Sequence, residues 1–172
     1  GLVSALAGSM CILRRMGIVQ PAGGDIFLGT SGVDAICVPV DAKGVAGKGL
    51  AKAAAMTWPK WERSYKDCCR LGRMLGREHE LHAVPIAGMG RTLHVVSVPT
   101  KYHWRESSSL ELVTASVERL RDAAASRGWQ RVAVPALGCG LGGLAWPLVL
   151  AIIERALTDS PTTFLIYPPE SA

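Results

Sequence analysis

What the chain lacks narrows it first. Its five cysteines, Cys11, Cys37, Cys68, Cys69 and Cys139, form no CxxC pair and have no matching histidine tract, which argues against a disulfide framework or a zinc site. The adjacent Cys68 and Cys69 fit a helix on which one thiol faces the core and the other the surface. No apolar run reaches the ~18 residues needed to span a bilayer, because Pro147 and Glu154 interrupt the longest candidate. The opening GLVSALAGSMCILRRM puts Arg14 and Arg15 after its apolar stretch, the reverse of a secretory signal. The expectation is therefore a cytoplasmic protein with no membrane partner. Residues 1–9 read as the remnant of an expression tag, with a native extension as the alternative. No internal repeat, low-complexity tract or linker divides the remainder, so residues 10–172 read as one domain.

What is present belongs to a globular chain. Of 172 residues 49% are apolar and 19% charged, enough to bury a core and too little charge for disorder. Lys and Arg exceed Asp and Glu by 19 to 14, and the resulting +5 attracts an anionic partner, although slightly basic proteins are common. Residues 24–40 read as a short strand, a Gly/Ser/Thr turn and a buried strand over 34–40. A glycine-rich stretch follows, then helix over 50–69, broken at Thr57-Trp58-Pro59 by a proline suited to a new first turn. Trp58, Trp61 and Trp146 fit packing at helix starts. Residues 93–99 form an apolar strand. Ser108 and Glu111 then make a capping box for a helix whose Leu110, Val113, Val117, Leu120 and Ala124 share one stripe before Gly128 ends it. Arg119, Arg121 and Asp122 lie off that stripe and are expected in solvent. Residues 131–137 form a buried strand that enters a second glycine stretch, followed by helix 147–157 and a last strand over 162–167. Strands alternating with helices imply parallel pairs with right-handed crossovers, hence a three-layer α/β/α fold around a mixed, mostly parallel sheet.

Both glycine stretches follow a strand and open a helix. In that setting backbone N–H groups and the helix dipole converge on an anion, and two such loops suit a diphosphate. Loop one is Gly44-Val45-Ala46-Gly47-Lys48-Gly49; loop two is Gly138-Cys139-Gly140-Leu141-Gly142-Gly143. Loop one is no Walker motif, since glycine follows Lys48. Loop two fits GxGxxG literally, but its strand lies late and no acidic residue stands about 20 positions on. The plain alternative for either loop is a tight turn that needs positive φ.

These pieces together resemble the macro domain family, in particular the branch holding the DarG-type DNA ADP-ribosyl glycohydrolase antitoxins and the terminal ADP-ribose protein glycohydrolases. The matching segments are GDIF at 24–27, GVAGKGLA at 44–51, PTKYHWR at 99–105, PALGCGLGGLAW at 135–146 and the terminal IYPP, so the resemblance covers residues 24–169. It implies that Asp25 and Ile26 recognise adenine and that Tyr167 lies near the adenosine end. It also implies that both loops, with Thr100 and Leu137 beside them, wrap the diphosphate, with ADP-ribose as ligand or product and no cofactor or metal. The branch's essential lysine falls on Lys101. Chemistry agrees, because an amine kept unprotonated by desolvation and by neighbouring cations such as Lys48 and Arg105 can act as base or attack C1″ of the distal ribose; a solvated surface lysine is the alternative.

Around Lys101, Trp104 can stack on a base or simply pack, His103 suits a structural hydrogen bond, and Arg105 can touch a target's backbone. His79, His82 and His94 read as structural or surface residues. The chain also departs from the branch. Asp41 stands where asparagine is usual, placing a carboxylate near the distal ribose to pair with Lys101 or orient water, or merely to cap its own turn. Gly142 occupies the position of the protein-directed enzymes' loop-two aspartate, which argues against their mechanism and leaves room at the distal site. Ala46 replaces a methionine, and Lys43 is an additional phosphate or DNA contact. Three functions follow: removal of ADP-ribose from a nucleobase on DNA, with a cognate ADP-ribosyltransferase toxin as partner; removal of carboxylate-linked ADP-ribose from protein; or reading of ADP-ribose without turnover.

Overall fold

Apolar side chains on both faces of β2 (Ala35–Asp41) make it the centre of the structure, a computed structural model that describes residues 19–88 and 90–170. Residues 1–9, Cys11, Arg14 and Arg15 lie outside the described residues. On β2, Ala35 and Cys37 pack in one core and Ile36, Val38 and Val40 in the other, the period-two alternation of a strand covered on both sides. Around it run β1 (Val19–Pro21), α1 (Gly49–Thr57), α2 (Pro59–Arg70), β3 (Ala83–Gly88), β4 (Arg91–Lys101), α3 (Leu110–Arg127), β5 (Arg131–Val134), α4 (Trp146–Leu157) and β6 (Thr163–Ile166). The six strands form one sheet in the order β1-β6-β5-β2-β4-β3. Every pair is parallel except β3 with β4, so the sheet is mixed and mostly parallel.

The helices divide between the faces. Val113, Val117, Leu120 and Ala124 of α3 and Val149, Ile153 and Leu157 of α4 fill one core; Ala54, Ala55, Trp61 and Tyr65 of α1 and α2 fill the other. This is the α/β/α layering expected from the alternation of elements. Pro59 opens α2 at its first turn, and Gly128, at φ 67°, ends α3 in the left-handed conformation that glycine adopts without penalty.

Several expectations are corrected. Residues 24–27 are not a strand: Leu28 and Gly29 N–H donate to Asp25 and Ile26 carbonyls, and the turn runs into a 3-10 segment at Thr30–Gly32. β1 and β3 carry no strong periodic signal of their own; Pro85 sits on β3, which is tolerated because β3 is an edge strand. The cap of α3 is Ser109, whose hydroxyl accepts from Leu112 N–H at 3.2 Å, and this leaves Ser108 free for another task. Arg119 is not solvated: its guanidinium donates to the Met74 and His79 carbonyls at 3.2 and 3.0 Å, tying the loop after α2 to α3. Cys68 and Cys69 are both half-buried rather than split between core and surface.

Candidate functional site

All five parallel strands point the same way, so the segments leaving their C-terminal ends gather on one edge of the sheet. Loop one leaves β2 and loop two leaves β5, and these strands are neighbours at the place where the chain's path through the sheet reverses. That is the crevice in which open α/β sheets bind ligands. Lys101 closes β4, on the other side of β2, and Tyr167 follows β6 directly. The loops meet: a side chain on Gly49 would come within 3.7 Å of the Leu141 Cδ1.

Free backbone donors line this crevice. In loop one the N–H groups of Ala46, Gly47, Lys48 and Gly49 find no protein acceptor, and in loop two the same holds for Gly140, Leu141 and Gly142, among the described residues. The helices these loops open, α1 and α4, have no side-chain cap and no acidic residue in the first turn, whereas α3, which follows no glycine loop, is capped by Ser109. Uncapped N–H groups and the positive ends of two helix dipoles therefore face one crevice. Gly47 and Gly140 are exposed, with no wall of neighbouring atoms where their side chains would stand, which leaves the rim open. A concavity of about 560 Å³ lies elsewhere, among Cys68, His79, His82 and Arg127, and shares no residue with either loop.

Asp41 proves to be part of loop one's scaffold. Asp41 is 5% exposed. Oδ1 accepts from the N–H groups of Lys43, Gly44 and Val45 at 2.7, 2.9 and 3.3 Å, and from the Tyr65 hydroxyl at 3.0 Å. Three consecutive N–H groups closing on one oxygen form an anion nest, and here the chain's own carboxylate fills it. The register slips between Val40 and Asp41, so Asp41 pairs with Lys101 and Thr100 is passed over. A slip of this kind re-aims side chains, which brings Asp41 to Tyr65 on the α2 side. Of the roles open to Asp41, capping its own turn is the one formed; the pair with Lys101 is not, since no carboxylate lies within 4.0 Å of the Lys101 ammonium among the described residues. Asp41 Oδ2 is the uncommitted oxygen.

The end of β4 is held on all sides. Ser116 Oγ donates to the Pro99 carbonyl at 2.6 Å, Ser109 N–H to the Thr100 carbonyl at 3.0 Å, and Ala42 N–H to the Lys101 carbonyl at 3.2 Å. Lys101 is thus a half-buried lysine on a fixed backbone beside loop one, not a freely solvated one. Ser108 joins this strand end to loop two: its hydroxyl donates to Thr100 Oγ1 at 3.3 Å and its N–H to the Gly142 carbonyl at 2.9 Å. A Cβ on Gly142 would overlap the Ser108 hydroxyl and stand 2.5 Å from the Gly138 carbonyl oxygen. The expectation that glycine at 142 leaves room at the distal site is therefore corrected. That space is already taken by Ser108, and glycine is required by packing.

The remaining candidates fall into two groups. Asp25, Ile26 and Tyr167 come together at one end: Ile26 and Tyr167 share the α1/α2 core, and the Tyr167 hydroxyl lies against Gly29. At the other end, past Lys101, residues 102–105 make an exposed turn. His103 and Trp104 rings stack with centroids 5.4 Å apart, Arg105 Cζ sits 4.5 Å over the Trp104 ring, and His103 Nδ1 accepts from Arg105 N–H at 3.1 Å. Trp104 is 45% exposed, so it forms a planar, positively charged platform rather than core. Lys43 and Lys48 are exposed on loop one, Val45 is exposed, and Ala46 is half-buried; Leu137 and Gly138 are buried at the base of loop two, with half-buried Cys139 and exposed Leu141 above. Tyr65, bonded to Asp41, and Ser108, bonded to Thr100 and Gly142, are the residues supporting the crevice that sequence reasoning did not place there. The signal for Ser108 was Ser109 beside it, a better cap that leaves the first serine without a helical duty; Tyr65, 24 positions from Asp41, offered none.

Two uncapped, glycine-rich loops at the switch point of an α/β/α sheet, with Lys101 beside them, present free N–H groups on one crevice. Residues 39–153 match the model of the macro domain, and the chain belongs to the macro domain family. It is 30% identical over 159 residues to a DNA ADP-ribosyl transferase-DNA ADP-ribosyl glycohydrolase fusion protein of Thermosipho africanus, covering 85% of this chain and 40% of that protein. It is 31% identical over 138 residues to a DNA ADP-ribosyl glycohydrolase of Mycobacterium tuberculosis, covering 79% of this chain and 38% of that one. The chain thus spans about 40% of the length of these curated relatives. Among solved structures, the macrodomain of Mycobacterium tuberculosis DarG superposes with a TM-score of 0.77 at 29% identity, over 90% of this chain and 99% of that chain. Thermosipho africanus DarTG in complex with ADP-ribose gives the same TM-score of 0.77 at 27% identity, over 88% of this chain and 42% of that one. No helix among the described residues is long and apolar enough to cross a membrane.

Proposed function

We propose that this chain binds ADP-ribose and hydrolyses it from a nucleobase on DNA. The observation that carries the reading is the convergence of free N–H groups from loops one and two on the crevice beside which Lys101 is fixed. In this reading the diphosphate lies across Ala46–Gly49 and Gly140–Gly142, the adenine lies by Asp25, Ile26 and Tyr167, and the distal ribose lies between Lys101 and Asp41. Hydrolysis breaks the bond from C1″ to the base nitrogen and joins C1″ to the oxygen of water, whose proton goes to the departing base. Lys101 is the group at the reacting carbon, positioned to orient that water and relay its proton. Asp41 sets the loop through Oδ1 and offers Oδ2 to the ribose or the water.

Preference for DNA is supported by the Trp104–Arg105 platform immediately beyond Lys101, a planar face with a cation for a base and its flanking phosphate, with Lys43 on the adjacent loop. The relatives named as DNA ADP-ribosyl glycohydrolases point the same way, and the fused transferase of one makes an ADP-ribosyltransferase the natural partner. The glycine at 142 no longer bears on the choice, since packing accounts for it. Incubation with ADP-ribosylated DNA and, separately, ADP-ribosylated protein tests the reading. Release of ADP-ribose from DNA is expected to be the faster; preferential release from protein carboxylates, or binding without release, overturns it. Free ADP-ribose is expected to bind with micromolar affinity, about −8 kcal/mol, and no heat at millimolar ligand removes the site assignment itself.

A further inference from the structure

We propose that Tyr65 of α2 is the positioning residue that sets loop one for its anion, acting through Asp41. Tyr65 is fully buried and reaches the crevice only through Asp41. Its hydroxyl donates to both the carbonyl and Oδ1 of Asp41, at 2.8 and 3.0 Å. Among the described residues it is the one donor to that carboxylate from outside the turn at residues 43–45, whose N–H groups are the other three. Without it, the Asp41 carboxylate would be bonded to its own turn alone, and that turn would be tied to α2 only by the packing of Gly44. With it, they are referred to α2.

The rest of the contact is built to hold that reference still. Tyr65 stacks on Trp61, with ring centroids 5.2 Å apart and planes 4° from parallel, and Trp61 Nε1 donates to Ser97 Oγ of β4 at 3.0 Å. Gly44, at φ 88°, lies against Lys66 and Cys69 on the same helix, so the base of loop one rests on α2 at two points. Burial, and after it the charge of Asp41, pushes the Tyr65 hydroxyl well above its ordinary range, which keeps it a proton donor throughout neutral pH. The N–H groups of residues 43–45 are thereby spent on Asp41, and those of Ala46–Gly49 are left aimed at the ligand. Tyr65 decides where those four donors stand without meeting the ligand.

The inference rests on loop one being the diphosphate site. Tyr65→Phe keeps the stacked ring and removes only the hydroxyl, so binding of ADP-ribose is measured by calorimetry beside the melting temperature. The expected result is affinity reduced about tenfold. Ser97→Ala is the control, because it breaks the bonds of Ser97 Oγ to Trp61 and His82 in the same packed layer while leaving Asp41 untouched, and it is expected to hold affinity within about twofold. In an Asp41→Ala background Tyr65→Phe should cost less than it does in the parent, because only the bond to the residue 41 carbonyl remains to be lost. Full affinity in Tyr65→Phe, equal losses in Tyr65→Phe and Ser97→Ala, or additive losses with Asp41→Ala each overturn the inference. Absence of ADP-ribose binding by the unaltered chain is a separate result: it removes the reading of the loops and this inference with it.

Discussion

Replacing Gly142 by alanine adds one methyl group where the structure has no space for it. The new Cβ would overlap the Ser108 hydroxyl, stand 2.8 Å from Ser108 Cβ and 2.5 Å from the Gly138 carbonyl oxygen. That carbonyl cannot retreat freely, because Leu144 N–H donates to it at 2.9 Å, and Ser108 is pinned by its own N–H on the Gly142 carbonyl at 2.9 Å. Relief therefore requires loop two to shift or Ser108 to turn away from Thr100. Overpacking of this kind costs roughly 1–3 kcal/mol, and a lost hydroxyl bond roughly 1 kcal/mol more, so about 2–4 kcal/mol is expected. For a chain of this size that lowers the melting temperature by about 5–15 °C. ADP-ribose affinity should fall with it, since Gly140, Leu141 and Gly142 carry the loop's free N–H groups. Gly140→Ala is the contrast: no atom lies within 4 Å of its Cβ, so stability should be unchanged. Thermal denaturation and calorimetry read both quantities. A Gly142→Ala protein that melts within about 1 °C of the parent and binds normally would refute the packing argument.

Lys101→Ala should retain ADP-ribose affinity within several-fold and lose turnover by at least about a hundredfold; parallel loss of both would make Lys101 a binding residue, and single-turnover release with direct binding separates the cases. Trp104→Ala and Arg105→Ala should each slow release from ADP-ribosylated DNA without altering affinity for free ADP-ribose. Arg105→Ala and Lys43→Ala should each also flatten the salt dependence of DNA binding by ~0.7–0.9 in log–log slope per phosphate contact, so an unchanged slope would place these cations off the DNA path. Burial lowers the His82 pKa from 6.5 to about 4, with Ser64 and Ser97 bonded to its ring at 2.8 and 2.7 Å. A histidine whose folded pKa is depressed stabilises the fold fully above pH 6.5, and that contribution is lost as pH falls from 6.5 toward 4, because the unfolded chain takes up the proton first. Urea denaturation from pH 7.5 to 4.5 should show this decline, and His82→Gln should flatten it.

Much of the architecture was legible because it rests on local patterns. Two strand, glycine, helix sequences specify parallel strands with uncapped helix starts, and they place both loops at strand ends before any coordinates are known. PTKYHWR at 99–105 and the loop-two segment located Lys101, Trp104 and Arg105 through resemblance, and the structure puts these residues where strand β4 ends. What the pattern could not carry were relations between distant segments. β1 and β3 are strands because β6 and β4 offer them an edge, not because three or six residues prefer that state. Ser109 rather than Ser108 caps α3 because Ser108 is drawn to Thr100 and Gly142, and a one-residue choice of that kind depends on who the neighbours are. Asp41 was legible as a carboxylate at a strand end that could cap its own turn, yet the bond of its Oδ1 to Tyr65 is one for which no sequence spacing speaks. Local chemistry along the chain determined which elements form and where anions can bind. Tertiary packing alone decided which polar atoms are already satisfied and which remain for a ligand, because hydrogen bonds between residues 24 or 34 positions apart exist only once the sheet has brought them together.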